Sequence, residues 1–237
     1  MKYDAVFFDS GGTLYGAEGG SDPTPSEVAA GRFKRIEAAL RGQGVPLDSE
    51  ELVARLTECE TECKERPGEA YTFFKLMSAF GEPLGLGNEA AACLADAYAG
   101  PRYASWLFPG TRTTVQKLCE SGLYLGIVAN TAWPGFCMDR AFAGVGLLPY
   151  FATRIYSGDL GIAKPDPKIF RRAEEISGKQ GQRILYVGND LNADIRGASG
   201  VGWATAFRTP RVGSSEGAAD FEFQETSELL EFILGTD

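Results

Sequence analysis

The sequence contains no histidine. That absence removes Ser-His-Asp and Cys-His nucleophilic catalysis, His-ligated zinc and imidazole proton shuttling in one step. Acid–base work therefore falls to carboxylates, Lys, Tyr or Cys. A basic stripe is also missing: 23 Lys and Arg face 32 Asp and Glu, a formal net charge of −9. Nucleic-acid phosphates need clustered cations, so nucleic acid is not an expected partner. The composition leaves room for a small anionic substrate held locally by one or two positive groups. Neither a GxxxxGK[ST] phosphate loop nor a GxGxxG turn occurs, and nucleotide and dinucleotide folds lose their usual support. The five cysteines, Cys59, Cys63, Cys93, Cys119 and Cys137, include no CxxC pair and are read as core-facing free thiols. No apolar run approaches a membrane span, and no secretory leader pattern opens the chain. The expected setting is cytoplasmic and reducing, with no membrane partner. Nothing in the sequence speaks to oligomeric state.

What is present is a chain of 237 residues, 44% hydrophobic and 23% charged. It is long enough for one large domain or for a core plus an insert. Its most informative stretch is Val6-Phe7-Phe8-Asp9-Ser10-Gly11-Gly12-Thr13-Leu14, an apolar strand over residues 4–9 that delivers one carboxylate to a glycine turn. Residues 15–25 read as a linker. The period then becomes helical: Ala29, Phe33, Ile36 and Leu40; next Leu52, Leu56, Cys59 and Cys63, opened by a capping box of Asp48 with Glu51; then Tyr71, Phe74 and Met77; then Ala91, Leu94 and Tyr98, capped by Asn88. No strand signal appears between about 26 and 100.

From Phe108-Pro109-Gly110 onward, helix and strand alternate. Strands are expected at 123–128, 154–156, 183–187, 205–207 and 221–223. Helices are expected around Val115 and Leu118, at 136–145, at 165–177, at 191–200 and at 227–234. This pattern predicts a doubly wound parallel α/β sheet covered on both faces, interrupted by an inserted helical unit. Strands end at Asp9, at Asn130 and at Gly188-Asn189-Asp190. Ligands of open α/β sheets sit outside the carboxyl ends of the strands, so these ends predict a single site.

Four segments in order, the Asp9 turn, Val128-Ala129-Asn130-Thr131, Gly161-Ile162-Ala163-Lys164-Pro165-Asp166-Pro167 and Val187-Gly188-Asn189-Asp190-Leu191-Asn192-Ala193-Asp194, resemble the four motifs of the haloacid dehalogenase-like (HAD) hydrolases. The likeness covers residues 1–15 and 107–200. It implies a Rossmann-like core at 1–15 and 107–237 and a helical cap at 16–106. It also implies a hydrolase, with Asp9 as nucleophile and Lys164 neutralising nucleophile and substrate. Gly11, Gly12, Thr13, Asn130, Thr131 and Lys164 are the implied substrate contacts. Mg²⁺ is the implied cofactor, held by Asp9, the Gly11 carbonyl, Asn189 and Asp190.

Three positions depart from the family pattern. Gly11 replaces the second Asp, which in family phosphatases protonates the leaving group. Ala129 replaces a hydroxyl residue, and Asn189 replaces an acid. The leading expectation is Mg-dependent hydrolysis of a small phosphate ester, with no general acid at position 11 unless Tyr15, Glu18 or Asp22 supplies one. The alternatives are hydrolysis at carbon, of dehalogenase type or of phosphonatase type with a Schiff-base lysine (Lys34, Lys64 or Lys75), or a catalytically weak binding protein. Tyr15, Trp106 and Trp133 are candidate site-lining aromatics.

Overall fold

The structure is a computed structural model that describes residues 2–16, 23–66, 70–209, 214–215 and 217–235. Six parallel strands form one sheet in the order β3-β2-β1-β4-β5-β6. These are β1 (Ala5–Phe8), β2 (Tyr124–Ala129), β3 (Thr153–Tyr156), β4 (Ile184–Gly188), β5 (Ala204–Arg208) and β6 (Phe221–Phe223). β1 lies at the centre, with Phe8 level with Ile127 of β2 on one side and Val187 of β4 on the other. The chain leaves β1 in both directions across the sheet, so the switch point, where a crevice opens, falls at the β1 carboxyl end.

The continuous apolar runs have a simple cause, since strands of a parallel sheet are buried on both faces. Val6 and Phe8 face one core, covered by α6 (Thr111–Glu120), α7 (Gly135–Gly144) and α11 (Glu228–Leu234) through Val115, Leu118, Met138, Phe142, Leu229 and Ile233. Ala5 and Phe7 face the other, covered by α9 (Pro167–Ser177) and α10 (Gly197–Gly200) through Ile169, Phe170, Ala173 and Ala198. α8 (Ser157–Leu160) is a single turn after β3.

Among the described residues between β1 and α6 stand five α-helices: α1 (Pro25–Ala30), α2 (Arg32–Gly42), α3 (Ser49–Glu65), α4 (Phe73–Gly81) and α5 (Asn88–Ala99). They bury their own apolar cluster around Ile36, Leu40, Leu52, Leu56, Leu76 and Leu94. This unit meets the core where the Phe73 N–H donates to Ala132 O at 2.9 Å and Arg140 of α7 reaches Asp96 of α5 at 2.6 Å. Among the described residues no helix is long and apolar enough to cross a membrane.

Several boundaries differ from the sequence expectation. Asn88 is the first helical residue of α5 rather than its cap, and Gly87 precedes it without a side-chain bond. α4 starts two residues beyond Tyr71, because Thr72 accepts from the Lys75 N–H. α9 starts at Pro167 instead of Pro165, because Asp166 takes the capping position and accepts from the Lys168 N–H. The expected helix at 191–200 is a wide π-type turn over Leu191–Arg196 followed by α10. Of the thiols, Cys63 and Cys137 are buried, Cys59 and Cys119 are half-buried, and Cys93 is exposed rather than core-facing. Burial pushes the Cys59 thiol up to about 12, so it stays protonated.

Asp48 caps α3 by accepting the N–H groups of both Glu50 and Glu51 at 2.9 Å. The reciprocal capping box belongs instead to α1, where Glu27 Oε2 accepts the Thr24 N–H and the Thr24 hydroxyl accepts the Glu27 N–H. Asp48→Ala is expected to destabilise the protein by about 1 kcal/mol. A lowered urea midpoint at constant slope is the expected result.

Candidate active site

The site is built where β1, β2 and β4 end. The Asp9 N–H still belongs to the sheet, donating to Val187 O at 2.9 Å, and the chain then turns through Ser10–Leu14. Gly12 has φ +81°, and a Cβ there would meet the Asn189 amide at 2.5 Å. Both the left-handed backbone and the close approach of the loop after β4 require glycine at this position. Gly11 has neither constraint among the described residues, where a Cβ would find only Tyr15 Cε2, at 3.9 Å.

Lys164 reaches this turn from the loop after α8. It is 4% exposed. Its ammonium donates all three protons within the protein, to Asp9 Oδ1, Tyr186 Oη and Asp194 Oδ1, each at 2.7 Å. Tyr186, from β4, donates its own proton to Val128 O at 2.6 Å. The second oxygen of Asp194 accepts the N–H groups of Asn189 and Asp190 at 2.9 Å. Gly188 makes this possible, since a Cβ there would lie 2.4 Å from that carboxylate. Burial raises the Asp9 carboxyl above its ordinary range. The Asp194 charge adds to the rise, and the Lys164 ammonium and Ser10 N–H oppose it. Burial, with Asp194 and Asp9 nearby, pushes the Tyr186 phenol well above its usual value, so it stays a neutral donor.

Each residue expected at the site can now be placed. Asp9, Gly11, Gly12, Thr13, Lys164, Asn189 and Asp190 converge around the β1 and β4 ends. Thr13 is buried, and its hydroxyl lies 2.9 Å from Asn189 Oδ1 and 3.4 Å from Asp9 Oδ2. It joins two site loops and is not open to a substrate. Lys164 likewise has no proton left for a substrate without surrendering a partner. The Asn130 amide is turned on the Lys164 backbone, donating to its carbonyl and accepting its N–H, both at 2.8 Å. One Asn130 N–H is left to serve an anion, and the residue's main work is to position Lys164. Thr131 Oγ1 accepts the Trp133 N–H at 2.9 Å and keeps its own proton to donate.

Asp190 is exposed and caps the wide turn, with Oδ1 accepting from Asn192 and Ala193. Its Oδ2 is not used by the cap. Among the described residues no group of three or more His, Cys, Asp or Glu forms a metal cluster. The expected set supplies two carboxylates, a carbonyl and an amide oxygen. Trp106 is buried, and its indole N–H donates to Pro23 O at 3.1 Å. Tyr15 and Trp133 border the site. Lys34 and Lys75 are exposed, and Lys64 bonds Glu60 at 2.7 Å, so none is the desolvated lysine that Schiff-base chemistry uses. Glu18 and Asp22 lie outside the described residues.

Two residues were missed as site members. Tyr186 sits inside an apolar strand and gave no signal. Asp194 was visible four residues after Asp190, but only the wide turn decides which of the two faces inward.

The model of the haloacid dehalogenase-like hydrolases matches residues 3–202. The chain belongs to this family. A curated relative, the glyceraldehyde 3-phosphate phosphatase of Methanopyrus kandleri, is 27% identical over 240 residues, covering 97% of this chain and 96% of that protein. Among solved structures, a HAD phosphatase from Thermococcus onnurineus superposes with a TM-score of 0.65 at 24% identity, covering 98% of both chains. A 2-haloacid dehalogenase from Pseudomonas syringae gives 0.67 at 23%, again covering 98% of both. At these identities the two structures establish the HAD-like fold and leave open which reaction the hydrolase performs.

Tyr186→Phe keeps the ring and leaves a Lys164 proton and the Val128 carbonyl without a partner. A loss of about 1–3 kcal/mol is expected. Equilibrium denaturation checks it, and an unchanged midpoint would show that the hydroxyl carries no load.

Proposed function

We propose that this HAD-like hydrolase cleaves small phosphate esters through a covalent phosphoryl intermediate on Asp9, in a magnesium-dependent reaction. The observation that carries the reading is the dry Asp9–Lys164–Asp194 cluster at the strand ends, with one Asp9 oxygen held by Lys164 and the other directed at the Thr13 turn. Several curated relatives named as phosphatases support the same reading.

The donor set suits the ion. Asp9 and Asp194 meet the Lys164 ammonium, and Asp190 adds a third carboxylate from the loop after β4, an excess of two negative charges at the strand ends for a divalent cation. Asp9 Oδ2, the Gly11 carbonyl and Asp190 Oδ2 are hard oxygens of the kind Mg²⁺ takes while keeping waters, and Asn189 Oδ1 can assist despite its bond from Thr13. When bound, the ion supplies charge neutralisation between nucleophile and phosphate.

The chain's own residues do the rest. Lys164 opposes the protonation that burial favours at Asp9 and aims its carboxylate. An Asp9 oxygen forms a bond to phosphorus as the phosphorus–oxygen bond to the leaving group breaks, and the leaving oxygen takes the electron pair. Water then attacks phosphorus, the bond to Asp9 breaks, and phosphate and a proton are released. The helical unit at 16–106 serves as a cap that excludes water from this sequence.

Gly11 cannot protonate the leaving oxygen. Tyr15, whose ring edge faces the open space at Gly11, is the described residue best placed to do so. Without a carboxylic acid at that position, the rate should depend steeply on leaving-group acidity, with aryl and acyl phosphates turned over faster than alkyl phosphates.

Phosphate release from an ester panel tests this. Activity should vanish with EDTA and in Asp9→Asn. Gly11→Asp, which the open space admits, should raise turnover of alkyl esters by about 10²–10⁴-fold and of aryl esters far less. Full activity of Asp9→Asn, or metal-independent halide release from haloacids, would sink the proposal. Tyr15→Phe separates the hydroxyl's contribution from the ring's.

A further inference from the structure

One half-buried cation near the site is left unused by the chemistry above. Arg102 lies where the helical unit rejoins the core. Its guanidinium stands over three aromatic rings, with Cζ 4.2 Å from the Trp133 centroid, 5.1 Å from Tyr15 and 5.3 Å from Trp106. Nε is sealed from solvent and has no hydrogen-bond partner among the described residues. Aromatic faces attract the charge but accept nothing from the in-plane N–H groups. A buried donor left in this state destabilises the fold unless a ligand completes it.

Its position says which ligand. Tyr15 follows the Asp9 turn and has its edge 3.9 Å from the open Gly11 position. Trp133 follows Asn130 and Thr131 and is tied to Thr131 Oγ1 at 2.9 Å. Arg102 therefore stands between the two loops that flank the Asp9 carboxylate, on the side of the helical unit. Arg35 gives Nε and Nη1 to the Ala97 and Val28 carbonyls and Arg140 binds Asp96 and Gly100 O, while Arg32 Nε and Arg35 Nη2 are also buried without a partner among the described residues; of these arginines only Arg102 stands against both Tyr15 and Trp133.

We propose that Arg102 is a specificity residue that receives a second anionic group of the substrate, a carboxylate or a second phosphate, while the scissile phosphate lies at Asp9. This rests on the phosphatase reading above. A planar fork with free donors matches either group bidentately, and the three aromatic rings fix its orientation. Substrates with a neutral tail would leave the guanidinium unsatisfied, and that is the source of discrimination.

Three esters of similar size separate the cases: glycerol 1-phosphate with a neutral tail, 3-phosphoglycerate with a carboxylate, and glycerol 1,3-bisphosphate with a second phosphate. Wild type should favour one or both of the doubly anionic esters in kcat/KM by about 10- to 100-fold over glycerol 1-phosphate. Arg102→Met, which keeps an apolar stem among the rings, should erase that preference with less than about a threefold change on the neutral-tailed ester. Arg102→Lys, which keeps charge without the fork, should restore part of it.

Calorimetric titration of the same esters into Asp9→Asn, with and without Arg102→Met, reads binding independently of turnover. Tighter binding of the doubly anionic esters that disappears in Arg102→Met, with no phosphate released by wild type, would support Arg102 and strike the phosphatase reading instead. Equal affinity for all three esters overturns the inference, whether or not phosphate is released. So does a uniform loss on all three in Arg102→Met that lysine does not repair, which marks a packing role.

Discussion

The Lys164 ammonium is the contact on which this site depends. It is almost wholly buried and has two carboxylates and a phenol as partners, each at 2.7 Å. A lone buried cation would be strongly disfavoured, as would Asp9 and Asp194 brought together without one. Each charge is tolerable only because the others are there, so the loops that carry them cannot move independently. Tyr186 passes the constraint into β2 through Val128 O, and Asn130 fixes the Lys164 backbone from the end of β2. Gly188 lets Asp194 come close enough to take two backbone protons from the loop after β4. The Asp9 carboxylate is thereby oriented by a network spanning three strand ends, not by its own loop.

That network explains what could be read from the sequence and what could not. Strands β1, β2 and β4 were legible because a two-sided parallel strand is apolar at every position, and their polar termini marked the site. Asp9 and the Asn189-Asp190 segment stood out because a polar group at the end of such a run has little structural reason to be there, whereas Lys164, in the loop after α8, stood out only through the family resemblance. Tyr186 was illegible for the opposite reason. Its ring completes the same apolar run, and only the long-range meeting with Lys164 gives its hydroxyl a task. Helix starts went astray where two capping candidates lay close together. Asp166 displaced the start from Pro165 to Pro167, and Gly87 took the position expected of Asn88. Asn130 and Thr13 lie at the strand ends, but their polar groups are turned largely inward, a distinction that spacing does not encode.

The three departures from the family pattern have different physical standing. Ala129 is fully buried at the end of β2 and packs in the core, so the change removes a hydroxyl without opening a cavity described in this structure. Asn189 keeps an acceptor for Thr13 while removing one negative charge from a neighbourhood that already holds Asp9, Asp190 and Asp194. A carboxylate at 189 would raise the excess of negative charge beside Lys164 from two to three and increase the demand on any bound cation. The amide thus reduces the electrostatic load and keeps the Thr13 link between the β1 and β4 loops.

Gly11 is the departure with mechanistic weight, and its surroundings narrow its meaning. Gly12 is forced by its backbone and by the Asn189 amide, whereas Gly11 has an ordinary φ and open space before it. No packing contact among the described residues imposes glycine there, so how those residues fold does not account for the missing acid. In the proposed phosphatase reaction, a site that keeps the buried Lys164 cluster intact while omitting the acid retains the means to orient Asp9 and gives up only help to the leaving group. That asymmetry favours a reaction in which breaking the bond is the easier half. It also shifts the burden of selectivity from proton transfer to binding, which gives a rigid, unsatisfied guanidinium between the Tyr15 and Trp133 loops a physical reason to be where it is.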